Sequence, residues 1–264
     1  MVAAYLYLIK IRVLTSLAYR FELIFALFKQ IIFILLNLLL WKYLYNNKTI
    51  VSSVSYDEML TFTILVAFLN NVYVHGIEGM LRSRIRKGDI AIDYIKPINI
   101  FAMFFADDLG VIVVNIMQRF VPLLILYCIF VQILLPISII HFIVFLISVI
   151  AGFLIIWLLS AIFGLLYFWI IDLGPLGDTK DYIVAFLSGS MIPLWFFSKK
   201  FQEISAYLPF KYTYQAPIDI FIGKTSIQQA LFIIVIQMFW CLIFYAIFLF
   251  LSEKASRIVM VQGG

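Results

Sequence analysis

SIIHFIVFLISVIAGFLIIWLLSAIFGLLYFWII, residues 138–171, contains no Asp, Glu, Lys or Arg. About 20 apolar residues carry a helix across a bilayer core at 1.5 Å per residue. The stretch is therefore longer than one perpendicular crossing needs. It predicts either one long tilted helix or a span with an interfacial extension. Apolar runs recur on both sides of it, at Leu23–Tyr45, Met59–Ile77, Val111–Leu135 (closed by Pro136), Tyr182–Phe197 and Ile227–Leu251. The Tyr182–Phe197 run is short and holds Ser188-Gly189-Ser190 and Pro193, which predicts a broken helix. Only 12% of the 264 residues are charged and 65% are hydrophobic, whereas a soluble domain carries about 25% charged residues. A membrane barrel would show short alternating segments instead. The fold class that follows is all-α, a polytopic membrane protein of about six spans forming a single transmembrane domain over residues 1–264.

The remaining polar residues set the organisation. Met1–Arg20 is interrupted by Lys10, Arg12, Thr15, Ser16 and Arg20, and predicts an interfacial helix. Lys29, about two turns into the first span, can snorkel to the near side. Asn46–Asp57 is a polar turn; its Asn47-Lys48-Thr49 fits a glycosylation triplet but carries little weight. Ile98–Gly110, with Asp107-Asp108, predicts a surface helix leading into the third span, and Asp172–Asp181 a Gly/Pro turn. The excess of 19 Lys+Arg over 14 Asp+Glu needs no nucleic acid, because basic residues gather where loops face the cytoplasm and its anionic lipid. Cys128 and Cys241 lie inside apolar runs, which argues against a disulfide framework or a thiolate metal site.

EGMLRSRIRKGDIAIDYIKP, residues 78–97, is the densest charged interval between spans. Arg82, Arg84, Arg86 and Lys87 crowd one helical segment, Gly88-Asp89 breaks it, and Ile90, Ile92, Asp93 and Ile95 follow before Lys96-Pro97 stops the pattern. Anchoring on anionic lipid accounts for the basic residues. It does not account for isoleucines beyond them, so the interval predicts a cytoplasmic surface that transmits force to another protein. Placing this cluster inside puts both termini in the cytoplasm, with Lys199, Lys200, Lys211 and Lys224 on the far side against the positive-inside trend.

Several chemical signals weaken under inspection. Gly223-Lys224-Thr225 resembles the end of a phosphate loop, but Ile218 stands where that loop needs glycine. His75 and Glu78 share a helix face at metal-ligand spacing; a pair without further His or Cys reads as interfacial hydrogen bonding, and His141 reads likewise. Arg119, about a dozen ångströms into the third span, reads either as a functional intramembrane cation or, near the span's end, as a snorkelling side chain. Asn37, Thr63, Asn70, Asn71, Tyr73, Ser188 and Ser190 are scattered amides and hydroxyls that either line a polar path or bond between helices. No convergent nucleophile, base or metal constellation marks an intramembrane enzyme.

Taken in order, these residues resemble the type-2 permease subunits of ABC exporters, in particular bacterial ones encoded apart from their ATPase. The resemblance rests on the arginine-rich segment running into Gly88-Asp89-Ile90 and Lys96-Pro97. It continues through Phe168-Trp169, Leu187-Ser188-Gly189 and Ile192-Pro193-Leu194, then Leu208-Pro209-Phe210 with Pro217 and Gly223. It covers nearly the whole chain; Phe197-Ser198 stands where relatives often carry a second proline. It implies an elbow helix over 1–22, a coupling region over 78–110 and an external re-entrant segment over 198–225. It also implies a second permease subunit, similar or identical, and a cytosolic ABC ATPase dimer that holds the ATP and magnesium, with no cofactor or metal on this chain. Docking on that ATPase would fall to Arg82, Arg84, Arg86, Lys87, Gly88, Asp89, Ile92, Asp93 and Pro97. Few fixed charges near mid-membrane predict an amphiphilic cargo rather than a simple ion or a sugar phosphate, with aromatic faces able to hold a cation. A passive channel or assembly scaffold is the alternative.

Overall fold

The computed structural model describes residues 2–18, 20–45, 50–51, 54–130, 134–170 and 176–262. Asn47-Lys48-Thr49, Ser52, Ser53 and most of the 172–181 turn's first half lie outside the described residues. Twelve α-helices are described: α1 (Val2–Ala18), α2 (Arg20–Tyr45), α3 (Tyr56–Val72), α4 (Ile77–Lys87), α5 (Asp89–Ile95), α6 (Ile100–Asn115), α7 (Val121–Phe130), α8 (Ile139–Leu166), α9 (Leu176–Leu187), α10 (Lys199–Ala206), α11 (Gln215–Ile222) and α12 (Ile227–Gln262). A two-stranded hairpin, β1 (Ile50–Val51) with β2 (Val54–Ser55), precedes α3. Ser55 and Glu58 form a reciprocal capping box that starts α3.

α8 is the centre of the bundle. It packs against α12, α4 and α11, and the small residues Ala151, Gly152, Ser160, Ala161 and Gly164 along it let its neighbours approach closely. At Gly164 a Cβ would stand 2.8 Å from Leu81 Cδ1 and 3.1 Å from Glu78 Cα, so glycine sets the distance between α8 and α4. The buried amide of Gln237 in α12 donates to the Ser148 carbonyl of α8 at 3.0 Å and to the Tyr212 carbonyl at 2.7 Å. Each of these bonds replaces water that the bilayer cannot supply.

Among the described residues five helical stretches are long and apolar enough to cross a membrane: Leu27–Tyr45, Tyr56–Lys87, Ile100–Ile125, Ile139–Leu166 and Ile227–Ile258. The run expected as a broken span is indeed interrupted, since α9 ends at Leu187. Its 12 residues reach only about 18 Å at 1.5 Å per residue. α11 is buried along its length against α8 and α3. Gln215 joins the two: its N–H donates to the Ser188 carbonyl at 3.1 Å, and its Oε1 accepts from Leu194 N at 2.9 Å. Gly189 makes the turn between them at φ +83°, a left-handed conformation that disfavours a side chain.

Residues 98–110 do not form a surface helix separate from the third span. α6 runs unbroken from Ile100, and a π-turn at Ile116–Phe120 carries it into α7. α1 lies alongside its first half. Arg12 pairs with Asp107 at 3.6 Å, and Asn99 N donates to Tyr5 Oη at 3.2 Å. At Gly110 a Cβ would come within 2.8 Å of Arg12 Cβ, so glycine allows this contact. Pro122 explains the π-turn, because it has no N–H for the Gln118 carbonyl and its ring crowds that turn.

Candidate functional site

Gly88 ends α4 in a left-handed conformation, φ +77°, with its N–H on the Ile85 carbonyl, and the chain restarts at once as α5. α5 buries Ile90 and Asp93, with Ala91 and Tyr94 half-buried against the core. Asp93 is 2% exposed and accepts hydrogen bonds from Arg84 of α4 and from Lys96 Nζ at 2.6 Å. Arg84 also lies over the Phe104 ring, 5.6 Å from its centroid, and Arg82 over Tyr167. These contacts hold α5 against the bundle. The opposite face presents Ile92, 61% exposed, and Ile95, 83% exposed, three residues apart on one side of the helix. Arg86, Lys87, Asp89 and Pro97 are exposed around them. Within the predicted docking set, Arg84 and Asp93 brace the surface and Ile92, Asp89, Arg86 and Lys87 form it.

Behind α4 lies an ion cluster, buried at Lys180 and half-exposed at Asp181. Lys180 of α9, 5% exposed, pairs with Glu78 of α4, and its Nζ also reaches Ser160 Oγ of α8 at 3.2 Å and Asp181 at 3.2 Å. His75 faces the other side of Asp181 as a donor, with Nε2 at 3.5 Å from the carboxylate and Nδ1 at 2.8 Å from the Tyr73 carbonyl. Glu78 and His75 therefore bind neighbours rather than each other. A cavity of about 270 Å³ opens beside them, walled by His75, Glu78, Arg82, Tyr167 and Asp178. Deeper in the bundle Asp108 is buried, accepting from Trp157 Nε1 at 2.9 Å and Gly76 N at 3.1 Å. Lys180 had read as part of a loop; only its place one turn into a helix directed at α4 and α8 reveals it.

The predicted polar-path residues divide. Asn70 and Asn71 line a second cavity, of about 380 Å³, between α2, α3 and the π-turn. Its charged walls are Lys29 and Arg119, its amides Gln30, Asn70 and Asn71, and its apolar side Phe33 and Ala67. Arg119 Nε is buried and has no hydrogen-bond partner among the described residues. Tyr214 donates to Asn70 Oδ1 at 2.8 Å and stands edge-on to Tyr73, whose hydroxyl donates to the Thr213 carbonyl at 2.6 Å. Asn37 and Thr63 bond back to their own helix, at Phe33 and Met59. Ser188 and Ser190 bond to the Ala185 carbonyl and close the end of α9. Three of the seven thus gather around one region, and four serve local backbone.

At the far end Asp219 of α11 accepts from Trp195 Nε1 at 3.0 Å and Gln215 Nε2 at 2.9 Å. Burial pushes its carboxyl up to about 7, against those hydrogen bonds and the charges of Lys211 and Lys224, which pull it down. Lys224 bridges to Glu58 of α3 at 3.0 Å, and Gly223, at φ +83°, caps α11. Gly223-Lys224-Thr225 is thus a helix stop and an ion pair, following a helix rather than a strand.

No curated protein matches the chain. The family described as "ABC-2 family transporter protein" matches over residues 31–263, a reach that takes in the α4–α5 turn, the ion cluster, the π-turn and the α9–α11 segment. The chain belongs to the ABC-2 transporter family, as an ABC-type membrane permease.

Proposed function

We propose that this chain is the membrane-spanning subunit of an ATP-driven exporter that moves an amphiphilic compound (an antibiotic, peptide, drug-like or lipidic molecule) outward across the plasma membrane. A separate cytosolic ABC ATPase dimer holds the ATP and magnesium, and a second permease subunit completes the pathway. The observation that carries this reading is the pair Ile92 and Ile95, apolar and exposed on a short helix braced from behind by the Asp93 pairings. Exposed isoleucines on a basic, rigidly held surface suit a protein groove better than lipid headgroups. In this reading the termini and residues 82–97 face the cytoplasm, residues 198–225 face outside, and α5 is the coupling helix.

The test is recovery of a nucleotide-binding protein with the tagged chain. Ile92→Asp places a charge where an apolar contact is expected; such a contact is worth about 2 kcal/mol, roughly thirtyfold in affinity. Recovery and transport are expected to fall while the bundle stays folded. Undiminished recovery and transport would leave a channel or scaffold as the better description. Orientation is read separately with single-cysteine probes in a chain lacking Cys128 and Cys241: an impermeant reagent outside intact cells labels position 200 and spares position 87.

A further inference from the structure

Among the described residues the lining of the cavity between α2, α3 and the π-turn holds two cations and no carboxylate. The acids nearest Arg119 in sequence are engaged elsewhere, Asp107 with Arg12 and Asp108 with Trp157 and Gly76. A guanidinium stays charged in any protein environment, and within a membrane-spanning helix an unpaired one is costly. Such residues pair with a partner or face a cavity where something else neutralises them. Neither Arg119 nor Lys29 has an ion pair among the described residues. The π-turn widens the helix at the position that sends Arg119 into this space.

The rest of the lining narrows what fits. Asn70 Oδ1 is occupied by the Tyr214 hydroxyl, which leaves the Asn70 amino group as the donor facing the cavity. Asn71 spends its own amino group on the Ala67 carbonyl at 2.7 Å. Beside the Asn71 Oδ1 and the Gln30 amide, the site thus offers a guanidinium fork, an ammonium and the Asn70 amide N–H₂, donors that phosphate and carboxylate oxygens accept. Phe33 and Ala67 supply an apolar flank beside those donors. Lys29 and Phe33 are exposed on α2, so the cavity opens sideways, where a hydrocarbon chain can leave it along the helix surface.

We propose that this cavity binds the anionic headgroup, phosphate or carboxylate, of an amphiphile whose tail lies along α2. As a statement about cargo this rests on the exporter reading above; as a statement about binding it does not. It selects against the cationic amphiphiles that the aromatic content alone would suggest, because Lys29 and Arg119 repel them. The headgroup has two sources, a bilayer lipid or a transported molecule.

The test uses the full chain in phosphatidylcholine nanodiscs, with bound dodecyl phosphate and dodecyltrimethylammonium measured by native mass spectrometry. Dodecyl phosphate is expected to saturate one site and to bind at least about tenfold more tightly than the cation. Arg119→Gln should weaken it by about tenfold or more. Lys29→Gln, at the exposed mouth, should do so by a smaller factor and keeps the test decisive if the Arg119 variant does not fold. Repeating the titration in phosphatidylglycerol discs separates the sources: loss of probe binding identifies a lipid occupant, and retained binding a transported one. Equal affinity for the two probes, or affinity unchanged in both variants, overturns the assignment. The measurement needs no ATPase, so failure of the exporter reading leaves its outcome unaffected.

Discussion

Arg84 donates a hydrogen bond to Asp93 across the left-handed turn at Gly88, tying the last turns of α4 to the buried face of α5. The pairing separates two roles that one short helix combines. Asp93→Ala removes the shared acceptor of Arg84 and Lys96, so both the thermal midpoint of the purified chain and its recovery of an ATPase should fall. Ile95→Ser changes only an exposed face and should lower recovery while leaving the midpoint in place. A midpoint for Asp93→Ala equal to wild type would show that the bridge does not hold α5.

Gly88 has open space around the position a Cβ would take, so a substitution there is felt only through the backbone. Holding an alanine at φ +77° costs about 1–2 kcal/mol. Gly88→Ala should lower the midpoint modestly and reduce ATPase recovery, since relief of the strain re-aims α5. Gly88→Asn, which tolerates the left-handed region better, should fall between alanine and wild type. If alanine and asparagine behave alike, the angle between α4 and α5 does not matter for partner binding.

The Lys180–Glu78 pair joins α9 to α4. Removing one member of a buried pair leaves the other uncompensated, typically at about 3–5 kcal/mol, whereas replacing both is often nearly neutral. Lys180→Met should therefore destabilise the chain strongly, and Glu78→Gln added to it should restore most of the loss, with Asp181 accounting for the remainder through its 3.2 Å contact. A double-mutant cycle by thermal unfolding in detergent measures this coupling. Additive losses in the cycle would mean that the two charges are independently solvated.

What the sequence made legible follows from range. Apolar runs such as 139–166 and 227–258 announce spanning helices locally, because composition over about 20 residues is sufficient. The Gly88 break and the Ile92 and Ile95 face were equally readable, since turn and period are properties of neighbours. Lys29 was readable as a cation able to snorkel, and Arg119 as that or as a functional residue; their meeting in one cavity depends on how α2 packs beside α3 and the π-turn, elements far apart in the chain. Asp93 stood among docking residues because its partner Arg84 lies on the other side of a turn whose geometry the letters do not specify. Gln215 and Gln237 sat in apolar runs as isolated amides. Their role appears only once α11 and α12 deliver them to orphan carbonyls.

Asp219 supplies a pH-dependent element on α11, which lies outside the five described stretches long and apolar enough to cross a membrane. Its carboxyl lies at about 7 in the fold, against about 4 for an unperturbed Asp. The fold therefore favours the protonated acid. The stabilisation this provides is complete below about pH 4 and is lost as pH rises through about 7, where the folded state must carry the charge. Between pH 5.5 and 8.5 the wild-type chain should lose thermal stability, and accessibility of a probe at position 200 should rise as the Trp195 and Gln215 contacts loosen. Asp219→Asn keeps an acceptor for Trp195 without a titrating proton, so its profile should be flatter across the same range. Parallel profiles for wild type and Asp219→Asn would assign the pH response to other groups and reduce Asp219 to a helix-end hydrogen-bond acceptor.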